Sequence, residues 1–355
     1  MTSTPGDTPS DAGSAGISGG PAAGASGSAG ASPSPAAAPR TSAAPPVLAE
    51  LVRSGFVEGH HRGSLVVLAA DGSVELALGD TTAPVFPRSS NKPMQAAAVL
   101  RAGLDLSGER LALAAASHSA ESFHLDLIRK MLTEHGLSET DLRTPPSLPL
   151  DETEAEVRLA AGGGPERILM DCSGKHAAML AACAVNGWPL DSYLDQDHPL
   201  QQLVLTSVES ASGERVEHIG TDGCGAPLMA ISLTGLARAF RTFVLAGPGS
   251  PERRVADAMR AHPEYVAGTR RSDSWLMREL PGVLAKEGAE AVQAVALPDG
   301  RALAFKIDDG AKRALGPVLA RALRGMGVDA PALARIEDQP LFGGGERVGE
   351  IRATF

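Results

Sequence analysis

Residues 64–79 read SLVVLAADGSVELALG, two apolar runs rich in Val, Leu and Ala on either side of Asp71-Gly72. An Asp-Gly pair suits the tight turn whose twist matches two antiparallel strands, so this stretch predicts a β-hairpin. Residues 292–306, VQAVALPDGRALAFK, repeat the device around Asp299-Gly300. Between the two hairpins the apolar residues recur at three- and four-residue spacing, which predicts helices over 93–104, 109–116, 121–135, 175–186, 198–212 and 226–240. Another helix is predicted over 311–325, and a short closing strand over 349–355. Hairpins near both ends with helices between them predict one antiparallel sheet shared by the two ends, covered by helices, with an inserted helical region. No repeat of 20 to 50 residues is present.

Outside that frame, residues 1–46 hold 12 Ala, 9 Ser, 8 Gly and 8 Pro. Such a segment has too little apolar surface to offset its ordering entropy, and it is expected to be a disordered tail ahead of one catalytic domain over 47–355. It lacks the basic start and apolar run of a secretory signal, and no later stretch has the roughly 18 consecutive apolar residues of a membrane span; a cytoplasmic location is expected. The 42 acidic against 32 basic residues give a net charge of -10, and there are only two Trp, two Tyr and eight Phe. A nucleic-acid partner is therefore not expected, since both a phosphate-neutralising surface and a stacking platform are missing. Three cysteines, Cys172, Cys183 and Cys224, are too few and odd in number for a disulfide framework, and they point to thiol or metal chemistry in a reducing compartment.

Five segments can carry chemistry. In Arg88-Ser89-Ser90-Asn91-Lys92-Pro93, Ser89 and Lys92 share a helix face, the arrangement in which a lysine of depressed pKa can deprotonate a serine nucleophile. The plainer alternative is a serine capping a helix beside an exposed lysine, although Pro93 reads as awkward for such a cap. Ala116-Ser117-His118-Ser119 offers two hydroxyls and an imidazole. Asp171-Cys172-Ser173-Gly174-Lys175-His176 and Gly220-Thr221-Asp222-Gly223-Cys224 each place a cysteine in a turn before a helical stretch, a donor set of the kind that suits zinc. A phosphate-binding loop is excluded, because the glycine it needs five positions before Gly174 is Leu169. Cys183 falls among alanines inside a helix and reads as core. Finally Phe305-Lys306-Ile307-Asp308-Asp309-Gly310 ends a strand in a lysine. On a shared sheet Lys306 would approach the helix that starts near Ser89 and act as a second cation there, lowering the pKa of Lys92 or pairing with Ser117.

Taken together and in this order, RSSNKP (88–93), ASHS (116–119), CSGKH (172–176), GTDGC (220–224) and KIDDG (306–310) resemble one family, the bacterial L-asparaginases of the asparaginase II type, the zinc-containing rhizobial class. The resemblance covers essentially all of 47–355. It implies an α/β fold related to the serine β-lactamases and glutaminases, a homodimer, and hydrolysis of L-asparagine to L-aspartate and ammonia. It further implies two Ser-Lys pairs, Ser89 with Lys92 and Ser117 with Lys306, and zinc held by Cys172, Lys175 and Cys224. Arg88, His118, His176 and Asp222 would then contact substrate or lie beside the metal. The chain departs from the family pattern at Asp171, where the rhizobial form has asparagine, and at 144–149, TPPSLP, which lacks a histidine often found there. Two other readings compete. A β-lactamase or penicillin-binding enzyme shares Ser-x-x-Lys but needs Ser-Asp-Asn and Lys-Thr-Gly elements, and neither is present. A non-catalytic zinc protein leaves the two Ser-Lys combinations without a purpose.

Overall fold

The computed structural model describes residues 44–355, so the tail expected over 1–46 lies, apart from its last three residues, outside the described residues. Strand β1 (Val47–Arg53) turns at Ser54-Gly55 into the long β2 (Phe56–Leu68). The predicted Asp71-Gly72 turn follows, with Asp71 Oδ1 accepting from the Ser73 N–H (2.9 Å) and hydroxyl (2.6 Å), and leads into β3 (Val74–Leu78). A short β4 (Pro84–Val85) and a 3-10 turn, Arg88–Asn91, hand over to α1 (Lys92–Arg101). The helices α2 (Gly108–Ala114), α3 (Ser122–Thr133), α4 (Glu152–Ala160), α5 (Ser173–Asn186) and α6 (Pro199–Ser212) come next.

Three short strands, β5 (Ile219–Thr221), β6 (Pro227–Met229) and β7 (Ile231–Ser232), precede α7 (Leu233–Leu245), α8 (Pro251–Ala261), α9 (Pro263–Ala267) and α10 (Ser272–Glu279). The chain re-enters the sheet through β8 (Leu284–Gly288), β9 (Val292–Ala296) and β10 (Ala302–Ile307). It finishes with α11 (Leu315–Gly325), α12 (Pro331–Glu337), β11 (Pro340–Gly343) and β12 (Glu346–Ala353).

The main sheet runs β11-β12-β1-β2-β10-β9-β8, with β3 also paired to β2, and every pairing in it is antiparallel. The two ends of the described residues do meet: Leu51 of β1 faces Ile351 of β12, and Leu65 of β2 faces Phe305 of β10. β2 spans both halves of the sheet. Its first half, up to Arg62, pairs with β1 and alternates in burial, while its second half pairs with β10 and β3 and is almost wholly buried. Helix α7 packs on β2, β9 and β10, and α11 on β1, β9 and β12, so the sheet carries helices as the pattern predicts.

One expectation is corrected, and several elements go beyond the sequence reading. The helix predicted over 226–240 starts only at Leu233, because Pro227–Met229 and Ile231–Ser232 form buried strands and the Ser232 hydroxyl caps the helix by accepting from the Gly235 N–H. The hairpin at Ser54-Gly55, strand β8 and the helices α4, α8, α9, α10 and α12 were not predicted; of these, β8 matters most for the site.

Gly63 lies where β2 passes between β1 and β10. A Cβ there would run into the Lys306 carbonyl oxygen, 3.1 Å from the Ile307 Cα. Gly63→Ala is expected to lower the unfolding free energy by about 1–3 kcal/mol, read by urea denaturation; an unchanged midpoint would mean that the strands separate freely at this point.

Candidate active site

Ser89 stands in the 3-10 turn directly after Arg88, whose φ of 53° is left-handed although it bears a side chain. Such a conformation is costly and persists only where the surroundings hold it. Arg88 is held by its Nε, which donates to Asp222 Oδ1 at 2.8 Å. Pro93 occupies the first turn of α1, where a missing N–H is no loss, so it does not speak against an ordinary helix start as the sequence reading supposed. Lys92 is buried, and its Nζ donates to Ala116 O (2.6 Å), Ser117 Oγ (2.9 Å) and Asp171 Oδ2 (3.3 Å).

Ser117 Oγ has a second lysine against it, and that lysine is Lys286 of β8, whose Nζ lies 2.9 Å away and also donates to Glu287 O at 2.7 Å. Lys306, expected in this place, instead donates to the carbonyls of Glu290 (3.1 Å) and Ile307 (3.1 Å). The register gives the reason. Lys286 faces Ala294, which faces Ala304, and Gly288 faces Val292, which faces Lys306. Lys306 is thus on the same face as Lys286 but two strands away, roughly 10 Å at the usual spacing between strands.

The two amines do not behave alike. Burial drives the pKa of Lys286 down to about 7, with the like charges of Lys92 and Arg271 acting in the same direction against Asp273. Burial also penalises charged Lys92, but the negative charge of the Cys172/Cys224 pair and of Asp171 outweighs it and its pKa is raised. Near neutrality Lys92 is the ammonium of the pair and Lys286 the amine that can be neutral. Asp171, in turn, is pulled to about 2 against its burial by Lys92 and His118.

The thiol segments meet on the other side. One ligand atom each of Cys172, Asp222 and Cys224 lies within 4.8 Å of the others, both thiols are free and buried, and Lys175 Nζ donates to Cys224 Sγ at 3.2 Å. The Cys172 thiol, donating to Cys224, and the Lys175 ammonium push the Cys224 pKa well down against its burial, so Cys224 is the thiolate of the pair. Two soft sulfur donors and a carboxylate at this spacing could hold a metal such as zinc, and Lys175, an ammonium beside Cys224, could join them only after losing its proton. Cys183 is buried in α5, as expected of a core residue.

A cavity of about 100 Å³ joins the two groups, lined by Arg88, Ser89, Ser117, Asp171, Cys172, Asp222, Cys224, Arg271, Glu287 and Lys312 among others. That volume is of the order of three water molecules and takes only a small ligand. Neither predicted histidine lines it. His118 is fully buried, its Nδ1 accepting from the Ala120 N–H (3.1 Å) and its Nε2 2.8 Å from Ser173 Oγ, so it fixes the loop that carries Ser117 to the start of α5. His176 Nδ1 lies 2.6 Å from the Tyr193 hydroxyl, deep behind Cys224.

Sequence reasoning missed Lys286, Arg271, Glu287 and Lys312. Arg271 donates to Ser117 O (2.6 Å) and Glu287 Oε2 (3.1 Å), and Lys312 Nζ lies 3.1 Å from Glu287 Oε1. The one signal available was Lys-Glu-Gly at 286–288, a charged pair in an otherwise apolar strand.

Residues 49–353 match the family model for L-asparaginase II. None of the curated proteins compared with the chain matches it. Among solved structures, Mglu in its native form is similar at 13% identity and a TM-score of 0.41, over 75% of this chain and 64% of that one. A Bacillus glutaminase is similar at 12% identity and a TM-score of 0.41, over 75% and 91% of the two chains. A β-lactamase, Mb2281c, from Mycobacterium bovis is similar at 14% identity and a TM-score of 0.42, over 74% and 94%.

The Lys286 environment carries a stability signature. Its folded pKa of about 7 lies below the ordinary 10.5, so between these values the unfolded chain binds more protons and stability rises with pH. Against Lys286→Met, the wild-type chain is expected to gain relative unfolding free energy from pH 7 to 10.5 and to show a constant difference below pH 7. A difference that is flat across the whole range, by denaturation at several pH values, would place the amine in water.

Proposed function

The chain belongs to the L-asparaginase II family, a family of amidohydrolases, and from that premise we propose that it hydrolyses L-asparagine to L-aspartate and ammonia through an acyl-enzyme on Ser89. The observation that supports this most is the chain Lys92–Ser117–Lys286, whose central hydroxyl, Ser117, lines the same cavity as Ser89. A proton resting on Lys92 moves through the Ser117 hydroxyl to Lys286, which leaves Lys92 neutral three residues along the chain from the nucleophile. Ser89 Oγ then attacks the carboxamide carbon and gives its proton to Lys92. The tetrahedral adduct collapses, the C–N bond breaks, and the proton goes to the leaving nitrogen, which departs as ammonia. Water attacks the ester by the same route in reverse and releases aspartate.

Ser117, with an amine 2.9 Å away on either side, is the alternative nucleophile. On either reading Lys286 takes the role that the sequence assigned to Lys306. Zinc, if bound by Cys172, Cys224 and Asp222 or Lys175, supplies positive charge at the cavity wall. Arg88 is placed to meet a carboxylate. A homodimer and a cytoplasmic location belong to the same reading. No helix among the described residues is long and apolar enough to cross a membrane.

Purified protein is expected to release ammonia from L-asparagine, with kcat rising as pH passes through about 7 as Lys286 loses its proton. Ser89→Ala and Lys286→Met are expected to lower kcat by about 10³-fold, while Lys306→Met retains most of it. Mass spectrometry of quenched enzyme distinguishes Ser89 from Ser117 as the acylated residue. Retention of activity in both serine variants would overturn the mechanism.

A separate expectation concerns the thiols: elemental analysis finds zinc in the wild-type protein and loses it in Cys172→Ala and Cys224→Ala. Equal zinc in all three would remove the metal from this cluster.

A further inference from the structure

Three carboxylates line the cavity, and each already has a cation against it. Asp171 is held by Lys92, which cannot withdraw because it is buried and also bonded to Ala116 and Ser117. Asp222 is held by Arg88 at 2.8 Å, with Cys224 Sγ 3.6 Å from its other oxygen. Glu287 differs. One oxygen, Oε2, belongs to Arg271, which is fixed by its second bond to the Ser117 carbonyl. The other, Oε1, is met at 3.1 Å by Lys312, whose side chain is 56% exposed and reaches in from the rim. An ion pair of that kind is weak, because solvent screens it and the long side chain gains entropy on leaving.

We propose that Glu287 receives the α-ammonium group of an amino-acid substrate at Oε1, and that Lys312 stands in for that cation at rest. This rests on the amide-hydrolase reading of the same cavity. One ammonium replaces another, so no buried charge is left unpaired during the exchange. Glu287 remains ionised throughout, since Arg271, Lys312 and Lys286 hold its pKa near 2 against burial. Its backbone N–H donates to Asp273 Oδ2 at 2.7 Å, which anchors it on β8 next to Lys286. With Arg88 also lining the cavity, a zwitterion finds a partner for each of its charges. The substrate class is then the amide of an amino acid with a free amine, and the same amide without the amine is discriminated against.

The test compares L-asparagine with succinamic acid, which differs only by the amine, in wild-type, Glu287→Gln and Lys312→Ala full-length protein. Glu287→Gln is expected to reduce the asparagine-to-succinamate ratio of kcat/KM by at least about tenfold. Lys312→Ala is expected to lower KM for asparagine and to give no such gain with succinamate, and it serves even where Glu287→Gln is poorly folded. Calorimetry with L-aspartate and succinate runs in parallel. If no amide is hydrolysed by the wild type, the amidase reading fails, and a wild-type preference for aspartate that Glu287→Gln erases still supports the inference. Equal losses on both amides in Glu287→Gln, a raised asparagine KM in Lys312→Ala, or no aspartate preference in the wild type would overturn it.

Discussion

Everything around the cavity is arranged about one oxygen, Ser117 Oγ, with a buried lysine nitrogen 2.9 Å away on each side. Two ammonium groups at that separation, out of water, repel strongly, and the pair is stable only if one of them gives up its proton or finds compensation. The fold does both, unequally. Lys92 is compensated by Asp171 and the thiol cluster and keeps its charge, while Lys286 has Asp273 only at 4.0 Å and yields. The result is a proton donor and a proton acceptor on opposite sides of one hydroxyl, set by burial and neighbours rather than by residue type.

That arrangement accounts for the otherwise disconnected parts of the architecture. Helix α1 delivers Lys92, the loop after α2 delivers Ser117, the start of α5 brings Asp171 and Cys172, and the edge strand β8 brings Lys286 and Glu287. Arg271 ties the last two together by bridging the Ser117 carbonyl and Glu287. His118 ties the Ser117 loop to α5 through Ser173. His118 works through a hydroxyl and a backbone N–H, so the histidine that ASHS led one to expect against substrate or metal is a strut.

Local features were legible and long-range pairings were not. The Asp-Gly hairpins, the helices α1, α3, α5 and α6 and the clustering of Ser89, Lys92, Ser117, Cys172 and Cys224 followed from turn chemistry, periodicity and five short motifs. The second lysine did not, because a lysine in a strand carries no mark of which neighbour it will face. Lys306 lies in a motif and Lys286 does not, yet strand order decides between them: β8 is the edge strand packed beside the Arg88–Asn91 turn, and β10 is interior. Choosing the right face of the sheet was possible from alternation, whereas choosing the right strand required the order β10-β9-β8.

The same distinction separates the charges of the cavity. Lys92 and Lys286 are buried, Arg271 is partly buried, and all three are bonded several times over, so their positions are fixed by the packing that also shapes the sheet. Lys312 is half outside and has Glu287 as its one ion-pair partner among the described residues. In a cavity of about 100 Å³ whose charged wall groups are all ion-paired, a charged ligand gains a partner of opposite sign by exchanging one of those pairs. Of the pairs present, the exchange that disturbs neither the Ser117 hydrogen bonds nor the thiol cluster is the one at Glu287 Oε1, and entry of a charged substrate is thereby coupled to the movement of a single surface side chain.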